Sequence, residues 1–96
     1  MKFKLIMVMV EDHMTDLVVD TARAYGATGS TIITNARGEG LKPAKTFLGL
    51  SISGQRDIVL LLVEEHLSRH ILEQVARICE FEEKPGNGVA FQIDIE

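Results

Sequence analysis

Two long runs of strand-forming and apolar residues, Lys2–Val10 and Arg56–Val63, restrict the possible folds of this chain most strongly. The second contains Ile58 to Val63, which is apolar throughout. A strand with one face in water alternates between polar and apolar residues, whereas a strand covered on both faces reads as a continuous apolar run. Both segments are therefore predicted to be central strands of a sheet.

The remaining regular elements follow from periodicity. Apolar residues at helical spacing predict one helix from Met14 to Tyr25, ended by Gly26, and a second helix from about Glu65 to Glu80. A segment rich in Thr and Ile, Ser30–Asn35, and an alternating segment, Val89–Glu96, are typical of edge strands.

The resulting order is strand, helix, strand, strand, helix, strand. This order predicts an α+β, ferredoxin-like βαββαβ fold over residues 1–96, a single domain in which two helices cover one face of a four-stranded antiparallel sheet. A chain this short buries only about 60 to 65% of its unfolded surface, so its own core is modest. Because the central strands are apolar on both sides and no segment is left to cover the second face, we expect a homo-oligomer whose sheets pack together.

A glycine-bearing turn, Lys84-Pro85-Gly86-Asn87-Gly88, leads directly into the last strand. Glycines on both sides of an Asn can take positive φ and direct successive backbone N–H groups toward one anion, and Lys84 would add a cation at the rim. The alternative interpretation is an ordinary turn before a strand.

A second glycine-bearing segment, Arg37-Gly38-Glu39-Gly40-Leu41-Lys42-Pro43, has no periodicity and is predicted to be an exposed loop. The pattern recovers at Phe47–Ile52, which we expect to be extended, with a turn or bulge at Gly54-Gln55.

Together, the element order, the exposed loop and the turn resemble the PII signal-transduction family, and more closely its shorter PII-like branch. Gly86-Asn87-Gly88-Val89-Ala90-Phe91 would correspond to the phosphate-contacting B-loop, and Gly26, Gly29 and Thr31 stand where the family begins its second strand. The resemblance covers essentially the whole chain.

The resemblance implies a homotrimer that binds an adenine nucleotide (ATP, ADP or AMP) in clefts between subunits. It implies nitrogen-related signalling through a short T-loop at about residues 37–55, with a membrane transporter or metabolic enzyme as the partner, and no catalytic activity. The implied nucleotide site comprises Thr31, Arg37, Gly38, Glu39, Gly40, Glu83, Lys84, Pro85, Gly86, Asn87 and Gly88.

Several departures from the family pattern modify this expectation. Val89 stands where the family usually has a phosphate-contacting Lys, and the sequence given ends at Glu96, without the segment that supplies arginines in many members. We therefore expect weaker or altered nucleotide preference, with ADP or AMP favoured over ATP. The only tyrosine is Tyr25, so nucleotidylation of a loop tyrosine is not expected, and Leu41-Lys42 argues against 2-oxoglutarate sensing.

Composition narrows the function classes further. With 14 acidic and 10 basic residues and a pI near 5.3, the chain is not expected to bind nucleic acid. The single cysteine, Cys79, excludes an internal disulfide and lies among apolar helix positions, where a buried thiol is typical. The apolar run Leu5–Val10 is too short to span a bilayer, and a cytoplasmic location is expected.

A metal-binding function is the main alternative. His66 and His70 lie four residues apart on the second helix, with Glu73 farther along, and such a pair can bind Zn²⁺ or Cu²⁺. Under this alternative the chain is a trimeric metal-binding protein that resembles the related CutA fold and uses these three residues. Two ligands are few, so no metal cofactor is expected, and a solvated helix face explains the same residues. No nucleophile is set beside a candidate base, so catalysis has no support in the sequence.

Overall fold

A computed structural model of the chain describes residues 2–36, 46–47, 50–51, 56–84 and 86–95, with backbone only for 46–47 and 50–51. Its elements are β1 (Phe3–Glu11), a 3₁₀ turn (Asp12–Met14), α1 (Thr15–Ala24), β2 (Thr31–Ala36), β3 (Thr46–Phe47), β4 (Leu50–Ser51), β5 (Arg56–Glu64), α2 (Glu65–Ile78) and β6 (Gly88–Asp94).

The four long strands form one antiparallel sheet in the order β2-β5-β1-β6. The two continuous apolar segments are the central strands β5 and β1, and the mixed segments are the edges. This confirms the ferredoxin-like arrangement and the assignment of centre and edge. The pairing of β2 with β5 shifts register between Ile33 and Ala36, where Asn35 has φ of 58°. Asn tolerates this left-handed conformation better than most residues, so the bulge costs little.

One face of the sheet packs against both helices. Side chains from β1 and β5 that point to this face form a single core with residues of α1 and α2, namely Ile6, Val8, Val10, Val59, Leu61, Val63, Val18, Ala22, Ile71 and Val75, all 3% exposed or less. Two polar contacts lie at the β6 side of the same face, from Ser68 to Gln92 and from Lys4 to Asp94.

The element bounds differ from the sequence prediction at several ends. A 3₁₀ turn precedes α1, so the helix begins at Thr15, and α2 ends at Ile78, two residues before its expected end at Glu80. The segment expected to be extended around Phe47–Ile52 contains two short strands, β3 and β4, which pair with each other in a separate sheet. The proposed turn at Gly54-Gln55 lies outside the described residues.

Neither helix in the described part of the chain is long and apolar enough to cross a membrane. Cys79, at the end of α2, is fully buried, and burial raises the pKa of its thiol to about 11. The thiolate is the reactive form of cysteine, so this residue is an inert part of the core, as its apolar surroundings in the sequence indicated.

Candidate functional site

The predicted anion-binding turn begins at the end of α2. Phe81 N–H donates to the carbonyl of Ala76, at 3.0 Å, and Glu80 N–H donates to that of Arg77, at 3.2 Å. This pair of bonds is the Schellman motif that ends many helices, and it requires a left-handed residue at the position of Glu80. Glu80 has φ of 57°, and Phe81 packs against the core. The helix end therefore fixes the direction in which the turn leaves.

Gly88 is essential to the turn for a reason other than the one expected from the sequence. Gly88 does not take the positive φ that we anticipated. Instead, a Cβ placed on Gly88 would lie 2.6 Å from Phe81 Cε1 and 2.7 Å from the carbonyl oxygen of Met9. A Cβ on Gly86 would meet nothing within 4 Å. Close approach of β6 to β1 thus requires glycine at position 88, whereas Gly86 faces open space.

Lys84 is held by its own turn. Its Nζ lies 2.9 Å from Oε2 of Glu80, and its backbone N–H donates to the Glu80 carbonyl, also at 2.9 Å. The hydrogen bond and the negative charge of Glu80 raise the pKa of Lys84. Both side chains remain exposed, so the ammonium is accessible to a ligand that can compete with Glu80.

Asn87 contributes to the turn from inside. Its Nδ2 donates to the carbonyl of Cys79 at 3.0 Å, and its backbone N–H donates to the Lys84 carbonyl at 2.8 Å. The side chain therefore closes the turn against the end of α2. Glu83 is exposed and lines a shallow groove with Arg77 and other residues near the end of α2, and Pro85 lies outside the described residues.

The second half of the predicted site belongs to the start of β2. Thr31 is exposed, pairs with Leu60 and lines an open depression on the sheet face away from the helices. The rest of its lining combines three small or polar residues, Thr28, Gly29 and Ser30, with four apolar ones, Phe3, Leu5, Leu60 and Leu62. Arg37, Gly38, Glu39 and Gly40 lie outside the described residues.

Two buried charges at the start of β5, directly after the predicted 37–55 loop, were missed by sequence reasoning. Arg56 is 6% exposed, and its Nη1 lies 3.0 Å from Glu11 Oε1. Asp57 is 7% exposed and accepts a hydrogen bond from Thr15 Oγ1 at 2.7 Å. An Arg-Asp pair that opens an otherwise apolar strand was the available signal, because buried charges require partners. Together these contacts hold the start of β5 against β1 and α1.

The two halves of the predicted site lie at opposite edges of the sheet. Gly88 lies on edge strand β6, where it pairs with Val10 of β1. Thr31 and Ala36 lie on edge strand β2. Three interstrand spacings separate these edges, which amounts to roughly 14 Å. One protomer therefore does not bring the turn and β2 into contact with each other.

The sheet face away from the helices is strongly apolar. The register places residues of all four long strands on this face, namely Phe3, Leu5, Met7, Met9, Ile33, Ile58, Leu60, Leu62, Val89, Phe91 and Ile93. Leu62 is 52% exposed, Ile33 45% and Ile93 42%. An apolar surface shared by all four long strands is typical of an interface with another protein or a membrane.

The histidines proposed as metal ligands have separate neighbours. His66 Nε2 lies 3.6 Å from Glu64 Oε2, whereas the His70 ring packs edge-on against Tyr25 at a centroid distance of 5.1 Å. In the described ranges, no three His, Cys, Asp or Glu side chains come together as a metal site. The geometry of these residues therefore gives the metal-binding alternative no added support.

This architecture is similar to that of known proteins. A model of the nitrogen regulatory protein P-II family matches residues 3–96. CPII from Thiomonas intermedia K12, solved with ADP, AMP and acetate, has a TM-score of 0.73 and 22% identity, covering 97% of this chain and 85% of that one. The same protein with ADP, AMP and bicarbonate has a TM-score of 0.72 and 22% identity over 99% and 91% of the two chains.

A protein from Thermus thermophilus described as PII-like has a TM-score of 0.67 and 24% identity, over 99% of this chain and 91% of that one. At these identities the structural matches establish a shared fold. No curated protein matches the chain.

Proposed function

This chain belongs to the nitrogen regulatory protein P-II family, and on that basis we propose that it is a regulatory protein which binds an adenine nucleotide between the subunits of a homotrimer. The observation that carries this proposal is the position of the two candidate half-sites at opposite edges of one sheet. Such half-sites can form one pocket only when the β6 edge of one protomer meets the β2 edge of the next.

The apolar sheet face supports the assembly. Leu62, Ile33 and Ile93 stay about half exposed in one protomer, although they lie on or beside the most apolar strands of the chain. Burying apolar surface stabilises by about 25 cal/mol per Å², so three such faces brought together would supply a large driving force. Closed rotational symmetry then repeats the same edge-to-edge contact around the ring.

The turn at 83–88 would bind the phosphates. Lys84 offers an exposed ammonium, and the open space at Gly86 lets a ligand approach the backbone closely. Thr31 and the depression beside it, on the neighbouring protomer, would contact the base or ribose through a hydroxyl and apolar side chains. The ADP and AMP bound to CPII, which shares the fold, support this choice of ligand.

Nucleotide occupancy would be signalled through the loop at 37–55. The loop includes Arg37, Gly38, Glu39 and Gly40, which we propose contact the nucleotide, so binding would shift the population of loop states that a partner recognises. We infer a cytoplasmic protein without catalytic activity whose partner is a transporter or metabolic enzyme.

Two measurements test the proposal together. Native mass spectrometry should give a trimer, and calorimetry should detect binding of ADP or AMP at micromolar to millimolar concentration. Lys84→Met should weaken ADP binding about 5- to 10-fold, which is less than the full value of a charge-assisted hydrogen bond because water screens this exposed ammonium. Arg69→Met is the matched control, since Arg69 is an exposed cation on α2 with its own acidic partner, Glu73. A monomer, or no heat from ATP, ADP or AMP, would contradict the proposal.

A further inference from the structure

Glu80 occupies a backbone position that favours glycine. A left-handed conformation costs an L-residue with a Cβ roughly 1 kcal/mol or more, and glycine is the usual residue at this point of a Schellman motif. In this chain the position has φ of 57° and carries a carboxylate. Strained residues cluster at functional sites, so the side chain at position 80 invites a functional explanation.

The carboxylate of Glu80 is directed to the one cation of the candidate phosphate-binding turn. Residues 80–88 contain three acidic side chains, Glu80, Glu82 and Glu83, and a single basic one, Lys84. Of these acids, Glu80 is the one that contacts the Lys84 ammonium, at 2.9 Å. The Lys84 ammonium, which is the proposed phosphate ligand, is thus already paired with a carboxylate of the same chain.

We propose that Glu80 is a specificity-determining residue that competes with nucleotide phosphates for Lys84 and reduces the affinity gained with each added phosphate. The inference rests on the proposed nucleotide-binding function. A phosphate must displace the carboxylate from the ammonium, and the displaced carboxylate then repels the phosphate chain. Because this repulsion grows with the charge of the chain, Glu80 disfavours the di- and triphosphates relative to the monophosphate.

The size of the effect follows from electrostatics at an exposed site. Two unit charges about 4 Å apart in a water-like medium interact with an energy equivalent to roughly fivefold in affinity. Replacing Glu80 with Gln removes the charge and keeps the length of the side chain and its Cβ. We expect Glu80→Gln to tighten ADP about fivefold and AMP about twofold, and to leave adenosine unchanged.

The experiment is calorimetric titration of the full chain with adenosine, AMP, ADP and ATP, in the wild type and in Glu80→Gln. Glu73→Gln is the matched control, because Glu73 also belongs to an exposed i, i+4 ion pair, with Arg69 at 3.6 Å, and its replacement changes the net charge equally. Adenosine separates a charge effect from a structural one, since altered folding of the turn would change the affinity for adenosine as well.

A double-mutant cycle is completed by introducing Glu80→Gln into a Lys84→Met background. There Glu80→Gln should tighten ADP less than it does in the wild type, because the competition for the ammonium is gone and only the repulsion between the carboxylate and the phosphate chain remains. Binding of ADP by Glu80→Gln alone, with none by the wild type, would also support the inference. Equal affinities in Glu80→Gln and Glu73→Gln, with clear wild-type binding, would overturn it and leave the proposed function standing. Absence of nucleotide binding in every variant would overturn both.

Discussion

The two helices end in the same hydrogen-bonded motif, yet the residues at the critical position differ. At the end of α1, Ala27 N–H donates to Ala22 and Gly26 N–H to Arg23, with Gly26 at φ of 118°. At the end of α2 the corresponding left-handed residue is Glu80. The α1 end thus has the residue that stability favours, whereas the α2 end has a charged residue beside the candidate phosphate seat. The comparison shows that the same backbone motif can be built with a residue that local propensity disfavours.

The largest effect on stability is expected at Gly88, where β6 approaches β1 closely. Gly88→Ala places a Cβ 2.7 Å from the Met9 carbonyl oxygen, a backbone atom that cannot move without disturbing β1. Overpacking of this kind costs about 3 kcal/mol of unfolding free energy, measured by urea denaturation at fixed protomer concentration.

Gly86→Ala is its matched control, because a Cβ at position 86 meets nothing within 4 Å. The control should stay within about 0.5 kcal/mol of the wild type. Equal destabilisation by the two substitutions would show that the contact with Met9 does not govern this turn.

A smaller loss is expected at the α1 end. Gly26→Ala forces a residue with a Cβ into φ of 118° and brings that atom 2.9 Å from Leu67 Cδ1, which can rotate away. The strained backbone alone should cost about 2 kcal/mol in the same urea titration. Gly29→Ala, in the same connection but with ordinary φ and no neighbour within 4 Å, should be nearly neutral. A neutral Gly26→Ala would mean that the α1 end does not depend on its left-handed glycine.

The smallest effect, and one of opposite sign, is expected for Glu80→Gly. Glycine removes the left-handed strain, which stabilises by about 1 kcal/mol, while the loss of an exposed ion pair offsets only part of that gain. The melting temperature should therefore rise. Glu73→Gly would not imitate this result, because Glu73 lies within helical α2, where glycine destabilises. A lower melting temperature for Glu80→Gly would show that the contact with Lys84 outweighs the strain.

The sequence was sufficient for the architecture because the pattern of apolar residues separates central from edge strands. The runs in β1 and β5 have no polar alternation, and the structure places both strands in the middle of the sheet. The resemblance to the PII family, carried by the two glycine-bearing loops and the element order, is confirmed by the family match over residues 3–96.

The details of the turn could not be predicted, because they depend on tertiary contacts. Gly88 is required by a neighbour on β1, a strand that is distant in the sequence, and this contact leaves no local sequence signal. The same holds for Asp57, whose partner Thr15 is on another element. The left-handed Glu80 contradicts local propensity, so only the structure reveals it. The ligand contacts of Thr31 and Lys84 stay predictions.

The pairing of Ala36 with Arg56 has a consequence for how this domain can diversify. Ala36 and Arg56 pair in the sheet, and Arg56 also contacts Glu11. Both ends of the segment between Ala36 and Arg56 are therefore held in fixed positions. The entropy of closing a loop rises only slowly with its length, by about 0.6 kcal/mol for each doubling. Insertions outside the β3–β4 pair should therefore cost little free energy, and segments of very different length can connect the same two positions of the sheet.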